Sequence, residues 1–176
     1  CAGSCAPMVS GPPQRAGHDH LEAVQAFHAA AAPGRHDVVA MACEQGLRGA
    51  KLPGPEQGVY PYAVHCIGAM HTAAIEYLLR RGVGGVYLLG CPGRDCVYRE
   101  GPRWMEQRLF ADREAELHER VDKRRVRLGA FGRSERAEAL ADLAAFQAEV
   151  RRLAAPVDEG PVSVEPVCEP LEEAGD

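Results

Sequence analysis

Short apolar segments alternate with helical segments along most of the chain, and this alternation limits the fold more than any other feature. Brief apolar runs bounded by turn residues are typical of buried strands; here they cover residues 37–42, 59–65, 83–90 and 125–132. Segments with apolar residues on one helical face predict helices over residues 20–30, 69–82, 102–121 and 134–153. Such alternation predicts an α/β fold, a mostly parallel four-stranded sheet with helices on its faces in Rossmann-like or flavodoxin-like layering.

Cysteines follow three of these predicted strands. Cys43 follows "VVAMA", Cys66 follows "YAVH" and Cys91 follows "VYLLG", while Cys96 lies in the loop that Cys91 opens. The carboxyl ends of parallel strands lie along one edge of a sheet, where ligand sites form. We therefore expect the four thiols to converge there if the strands are neighbours. Four thiolates suit zinc or an iron–sulfur cluster.

Several other interpretations of these cysteines stay open. They are buried apolar residues, or Cys91 and Cys96 form a disulfide or a redox pair, although redox dithiols more often use C-x-x-C. Structural zinc usually takes its ligands from close pairs, and here one pair is close, with the C-x4-C spacing that also occurs in plant-type 2Fe–2S proteins. A Rieske-type centre would need His65 and His71 to face the cluster.

Residues around the cysteines fit a cluster pocket. Gly68, Gly90 and Gly93 allow the backbone to approach closely, and amide N–H donors tune a cluster's potential. Pro92 restricts the loop between Cys91 and Cys96. The sequence has no glycine loop after its first strand, so it offers no support for nucleotide binding.

Composition limits the class of protein. The formal net charge of −5 argues against a nucleic-acid surface, which needs a concentrated basic patch. The apolar runs are too short for a transmembrane segment. Seven cysteines cannot all pair within one chain, and no signal-peptide pattern is present. We therefore expect a cytoplasmic location and metal or redox work for the clustered cysteines.

The segments "VVAMAC", "VHCIG" and "GVYLLGCPGRDCVYREGPRW" together resemble the delta subunit of methyl-viologen-reducing hydrogenases, over residues 37–153. In that family the last segment has the form G-C-x4-C-x-Y-x-x-G, which is matched here by Gly90, Cys91, Cys96, Tyr98 and Gly101. The resemblance implies a 2Fe–2S cluster held by four cysteines, with Cys43, Cys66, Cys91 and Cys96 as the ligands. After its first strand this chain has Cys43 alone, where the archaeal members carry more cysteines, and it looks closer to bacterial forms fused behind a ferredoxin-like domain.

The first residues bear on that fusion. "CAGSCAP" is similar to the end of a bacterial ferredoxin motif, so Cys1 and Cys5 are interpreted as a partial 4Fe–4S motif, with 4Fe–4S clusters expected in a longer protein. The rival interpretation is a lipoprotein acylated at Cys1. We predict a ferredoxin remnant and linker over residues 1–36, the iron–sulfur domain over 37–153, and a disordered acidic, Pro-rich tail over 154–176, in which Cys168 is a free thiol.

The resemblance implies an electron-transfer component of an oxidoreductase complex rather than a self-contained enzyme. Its 2Fe–2S cluster would pass electrons between a hydrogenase- or dehydrogenase-type donor and a flavin- or cluster-containing acceptor, such as a heterodisulfide reductase-like protein. The sequence shows no constellation for a catalytic acid, base or nucleophile. Two alternatives remain: an interaction module stabilised by zinc on the four cysteines, and a thiol–disulfide oxidoreductase using Cys91 and Cys96.

Overall fold

The sheet of the computed structural model consists of four parallel strands. The structure describes residues 17–46, 51–111, 113 and 116–154. Within them the strands are β1 (Val38–Cys43), β2 (Val59–Val64), β3 (Gly85–Gly90) and β4 (Val126–Ala130), in the order β2-β1-β3-β4. All three pairings are parallel, so the predicted α/β fold is confirmed, with a sheet that is wholly parallel rather than mostly so.

Helices cover both faces of the sheet. They are α1 (Gly17–Ala31), α2 (Thr72–Arg80), α3 (Gly101–Phe110) and α4 (Arg136–Ala154). The first three share one apolar core with alternate residues of the strands, such as Val39 and Met41, and α4 packs on the other face against Val38 and Ala40. Because successive strand residues point to opposite faces and both faces are covered, β1 and β3 are apolar throughout. None of the helices in the described part of the chain combines the length and hydrophobicity that crossing a membrane requires.

Polar contacts hold α4 on its face of the sheet. The buried Tyr87 of β3 donates its hydroxyl proton to Asp142 Oδ2 on α4, at 2.7 Å. Arg127 of β4 pairs with the same Asp142 at 3.3 Å and with Glu149 at 2.8 Å. Burial, followed by the bond to the Asp142 carboxylate, raises the pKa of Tyr87, so this hydroxyl stays protonated and remains a donor.

The predicted helix over residues 102–121 is wrong in its second half, because α3 ends at Phe110. The N–H of Leu117 donates to the carbonyl of Arg108 at 2.8 Å, a separation in sequence that a continuous helix does not bridge. The N–H of His118 donates to the buried carboxylate of Glu76 on α2, at 3.1 Å. Leu117 is thus buried, as the helical pattern of apolar residues indicated. It lies, however, on a segment outside α3 that has turned back toward α2.

The segment before β1 contributes to the core. Val24 of α1 is fully buried, and Phe27 packs on Tyr62 of β2 with ring centroids 5.0 Å apart. The division into domains stays a prediction, because residues 1–16 and 155–176 lie outside the described residues. The assignments of Cys1 and Cys5 to a partial 4Fe–4S motif, and of Cys168 to a free thiol, fall outside them too.

Candidate metal centre

The strand order reverses at β1, and this creates a place for a ligand. From β1 the chain moves to one side to form β2, and it then passes back to form β3 on the other side of β1. Where the order of parallel strands reverses in this way, ligands bind in the crevice beyond the carboxyl ends of the flanking strands. In this sheet the crevice lies beyond β1 and β3.

Each of the strands β1, β2 and β3 brings a cysteine to this edge. Cys43 is the last residue of β1, Cys91 directly follows β3, and Cys66 lies two residues beyond the end of β2. Cys96 ends a short 3-10 helix, Gly93–Asp95, in the loop after β3. All four are free thiols, and no more than 7% of any of them is exposed.

The four thiols form a connected group. The thiol of Cys91 interacts with those of Cys43 and Cys96, which add to burial in raising its pKa. The thiol of Cys66 interacts electrostatically with the same two, Cys43 and Cys96. The structure therefore brings together the four cysteines that the sequence singles out, although they come from three strand ends and one loop. Their role as ligands stays a prediction.

Burial raises the pKa of two of these thiols. For Cys66 desolvation is the largest cause, and hydrogen bonds from the amides of Gly68 and Ala69 act in the opposite direction. For Cys91 burial again comes first, followed by repulsion from the neighbouring Cys43. A buried thiol avoids the cost of an uncompensated charge by keeping its proton. A cation bound here would remove these protons, because metals bind thiolates.

The first residue of α3 lies directly against two of the cysteines. A Cβ atom on Gly101 would lie 2.9 Å from Sγ of Cys66 and 3.6 Å from Sγ of Cys96. Across the same gap, a Cβ on Gly68 would lie 2.4 Å from the Cα of Gly101. The close approach predicted at Gly68 is confirmed. Sequence reasoning did not give Gly101 this role, although its place in the resemblance motif could have signalled it.

The other glycines differ in how closely they are packed. A Cβ on Gly90 would lie 3.1 Å from the ring of Pro102, so space is limited there as predicted. A Cβ on Gly93 would meet nothing nearer than the Arg99 carbonyl oxygen, at 3.8 Å, which is an ordinary contact. The prediction that Gly93 serves close approach is therefore wrong. Gly93 is exposed to solvent.

The loop after Cys96 turns sharply before α3. The N–H of Arg99 donates to the Cys96 carbonyl at 2.9 Å, and Arg99 has a positive φ of 62°. That left-handed conformation costs a residue with a side chain about 1–2 kcal/mol. The turn places Gly101 against the sulfur atoms within five residues of Cys96, and it leaves Val97 and Tyr98 largely exposed.

Two histidines near the cysteines have other partners. Nε2 of His65 and the hydroxyl of Tyr98 form a hydrogen bond at 2.5 Å, and Nδ1 of His65 lies 3.5 Å from the carboxylate of Glu44. His71 caps α2, with its Nδ1 accepting from the N–H of Ala73 at 3.1 Å. These contacts do not support Rieske-type ligation. The contacts of His65 instead connect three parts of the chain: His65 precedes Cys66, Tyr98 follows Cys96, and Glu44 follows Cys43. Sequence reasoning missed this connection.

Zinc and a 2Fe–2S cluster require different arrangements of four cysteine ligands. Within residues 17–46, 51–111, 113 and 116–154, no three His, Cys, Asp or Glu side chains are grouped like the ligands of a single metal ion. Zinc would need its sulfur ligands at about 2.3 Å from one point. A 2Fe–2S cluster divides four cysteines between two irons. The chemistry of the donors, four buried thiols with amide groups nearby, fits such a cluster.

The chain matches a known protein family over most of the residues that the structure describes. A family model described as methyl-viologen-reducing hydrogenase, delta subunit, matches residues 38–154. This range begins with β1 and ends with α4, and it includes all four cysteines of the carboxyl edge. No curated protein matches the chain.

Proposed function

The chain belongs to the methyl-viologen-reducing hydrogenase delta subunit family, and we propose that it carries a 2Fe–2S cluster on Cys43, Cys66, Cys91 and Cys96. Membership indicates an electron-transfer subunit associated with hydrogenase and heterodisulfide reductase. The observation that carries the cluster proposal is the convergence of four free, buried thiols at the strand-order reversal. A cluster held by these four cysteines would supply one-electron transfer, with no covalent bond made or broken in a substrate.

The protein's own residues would bind and insulate the cluster. Four thiols of low exposure exclude water from the site, which strengthens each electrostatic contact within it. The amides of Gly68 and Ala69 point at the sulfur of Cys66 and stabilise negative charge there. Gly101 lets the start of α3, with its partial positive charge, lie against Cys66 and Cys96. These features all favour an anionic group at this edge.

The thiol–disulfide alternative fits this geometry less well. An attacking cysteine needs a lowered pKa and access to its substrate. Cys91 is 3% exposed, and burial raises its pKa. Cys96 is buried as well, and the contacts of Cys91 extend equally to Cys43, which a two-cysteine mechanism does not use.

Electron transfer also requires protein partners. We propose that a hydrogenase- or dehydrogenase-type protein donates the electron and that a flavin- or cluster-containing protein accepts it. The support is the family membership together with the nature of a one-electron carrier, which makes no product of its own.

The test is metal analysis with electron paramagnetic resonance. Protein purified without oxygen is expected to be brown, to contain about two irons and two acid-labile sulfides per chain, and to give an S = 1/2 signal after reduction. Colourless protein with stoichiometric zinc would establish the interaction module instead. Metal-free protein with dithiol activity that survives replacement of Cys43 or Cys66 would establish the thiol–disulfide enzyme.

A further inference from the structure

Arg108 is the largest fully buried side chain among the described residues. It lies on α3 and is 1% exposed, which is rare for a charged residue. Its Nη1 donates to the carbonyl oxygen of Gly68 at 2.9 Å and to that of Met70 at 3.2 Å. Both carbonyls belong to the short turn that follows Cys66. The guanidinium is therefore attached to the backbone of the Cys66 turn.

The same turn gives amide hydrogen bonds to the cysteine. The N–H groups of Gly68 and Ala69 both favour negative charge on the sulfur of Cys66, the N–H of Gly68 more strongly. The N–H of Ala69 also donates to the carbonyl oxygen of Cys66, at 3.0 Å. The carbonyl of Gly68 and the N–H of Ala69 belong to one peptide group. A continuous path therefore runs from the guanidinium of Arg108 to the Gly68 oxygen, through that peptide to the Ala69 N–H, and on to Cys66, whose carbonyl oxygen accepts from this N–H and whose sulfur interacts with its dipole.

A charge at one end of such a path acts at the other end. Hydrogen bonds in series polarise one another, and the effect is strongest where water is excluded. A guanidinium keeps its charge at every accessible pH, so the polarisation is permanent. It draws electron density toward the Gly68 oxygen and makes the Ala69 N–H a stronger donor. Stronger donors to cluster sulfur atoms stabilise the more negative, reduced state.

We propose that Arg108 is a positioning residue that polarises the Gly68–Ala69 peptide toward Cys66 and so raises the reduction potential of the centre. This inference rests on the proposed function, because it concerns the potential of the cluster that Cys66 would help to bind. The long-range charge effect and the hydrogen-bond path act in the same direction, since both favour the state that holds one more electron. Removing the charge should therefore make the centre harder to reduce.

Two substitutions separate the effect of the Arg108 charge from the effect of its side-chain packing and hydrogen bonding. Arg108→Gln keeps an N–H donor but removes the charge, whereas Arg108→Lys keeps the charge and one donor group. At a fixed solution potential, the ratio of reduced to oxidised cluster should fall at least tenfold in Arg108→Gln, which corresponds to about 59 mV for one electron. In Arg108→Lys the ratio should stay within about threefold of wild type, or about 28 mV on the same scale. The control is Arg103→Gln on the same helix, where the side chain is 69% exposed and pairs with Glu100 at the surface; its ratio should not change.

Hydrogen exchange provides a second measurement. Amide exchange in a peptide covering residues 66–71 should accelerate in Arg108→Gln, and exchange in β1 should not. Because exchange can be measured on metal-free wild type and metal-free variant alike, it also reports on a variant that binds iron poorly. Unchanged protection of residues 66–71 in folded Arg108→Gln would overturn the hydrogen-bond path.

The outcomes distinguish this inference from the function on which it rests. Wild-type protein without iron overturns both. Wild-type protein with a cluster, and an unchanged ratio in Arg108→Gln, overturns the role of Arg108 alone. An equal fall in Arg108→Gln and Arg108→Lys also overturns it, because packing rather than charge would then set the potential.

Discussion

Gly101 lies so close to Cys66 that a Cβ atom on residue 101 would be 2.9 Å from the sulfur. The first turn of α3 and the turn after β2 are thus packed backbone to backbone, with the sulfur of Cys96 also near. The carboxyl edge has its shape because residue 101 has no side chain. Changes at this contact and around it give direct tests of the site.

Gly101→Ala should displace the sulfur of Cys66 or the start of α3. Overpacking of this kind costs about 1–3 kcal/mol, and here it also moves a proposed ligand, so iron content should fall severalfold. The control is Gly93→Ala in the same loop, where a Cβ would meet only an ordinary contact at 3.8 Å. Iron and sulfide assays and urea unfolding check both variants. Normal iron content in Gly101→Ala would show that the sulfur position is not critical.

Replacement of single cysteines should show that the four act as a set. Cys43→Ser and Cys66→Ser should each lose most of the iron and the visible absorption, although neither belongs to the close Cys91/Cys96 pair. Cys168→Ser should behave like wild type, because the sequence places it in the acidic tail. If iron persisted in Cys43→Ser and disappeared only when Cys91 or Cys96 was replaced, the four-ligand proposal would be wrong.

The stability of metal-free protein should fall in alkali. Burial raises the pKa of Cys66 and Cys91 above that of an unfolded thiol. The folded state then holds protons that the unfolded state releases, so the free energy of unfolding is fully retained below the unfolded pKa of about 8.5 and decreases above it. The maximum slope is about 1.4 kcal/mol per pH unit for each retained proton.

Urea unfolding of metal-free protein between pH 8 and pH 10 measures this slope. Cys91→Ala should show a shallower decrease than wild type, because one retained proton is gone. Comparing the two proteins removes the contribution of Tyr87, whose pKa is also raised and which both contain. Identical slopes in the two proteins would contradict the effect assigned to Cys91.

Tyr87→Phe should weaken the attachment of α4 to the sheet. The variant removes the donor to Asp142 on the far side of the sheet from the core that α1, α2 and α3 cover. A hydrogen bond to a charged acceptor contributes about 1.5–3 kcal/mol, less where the carboxylate is partly exposed as here. Unfolding midpoints in urea measure the loss, and iron content should not change.

A double-mutant cycle isolates that hydrogen bond. In an Asp142→Asn background the Tyr87→Phe change should cost less than in wild type, because the charged acceptor is gone. Equal costs in the two backgrounds would assign the effect to packing around the ring instead.

The main features of the fold could be predicted because they are encoded locally. Strands such as 38–43 and 85–90 are apolar at every position, since both faces are covered. Just after the end of α2 lies Gly82, with the positive φ of 92° that this position favours. The meeting of Cys43, Cys66 and Cys91 follows from parallel strands alone. It needs no knowledge of the side-chain packing.

What could not be predicted depends on contacts between distant parts of the chain. Nothing in the sequence around Arg108 separates it from the exposed Arg103 of the same helix, because Arg108 is buried against the turn after Cys66, 40 residues away. The path of the chain after α3 also depends on a distant contact, since the N–H of His118 donates to the carboxylate of Glu76 on α2, 42 residues away. The local pattern of apolar residues gives no information about either of these distant partners.

The location of the cysteines at strand ends also determines an order of assembly. In a zinc finger the ligands lie on one short segment and the metal itself drives folding. Here Cys43, Cys66 and Cys91 meet only after β1, β2 and β3 have paired, so the sheet has to form before the metal can enter. If the proposed cluster is bound here, its insertion is therefore a late step that requires synthesis at least through Cys96.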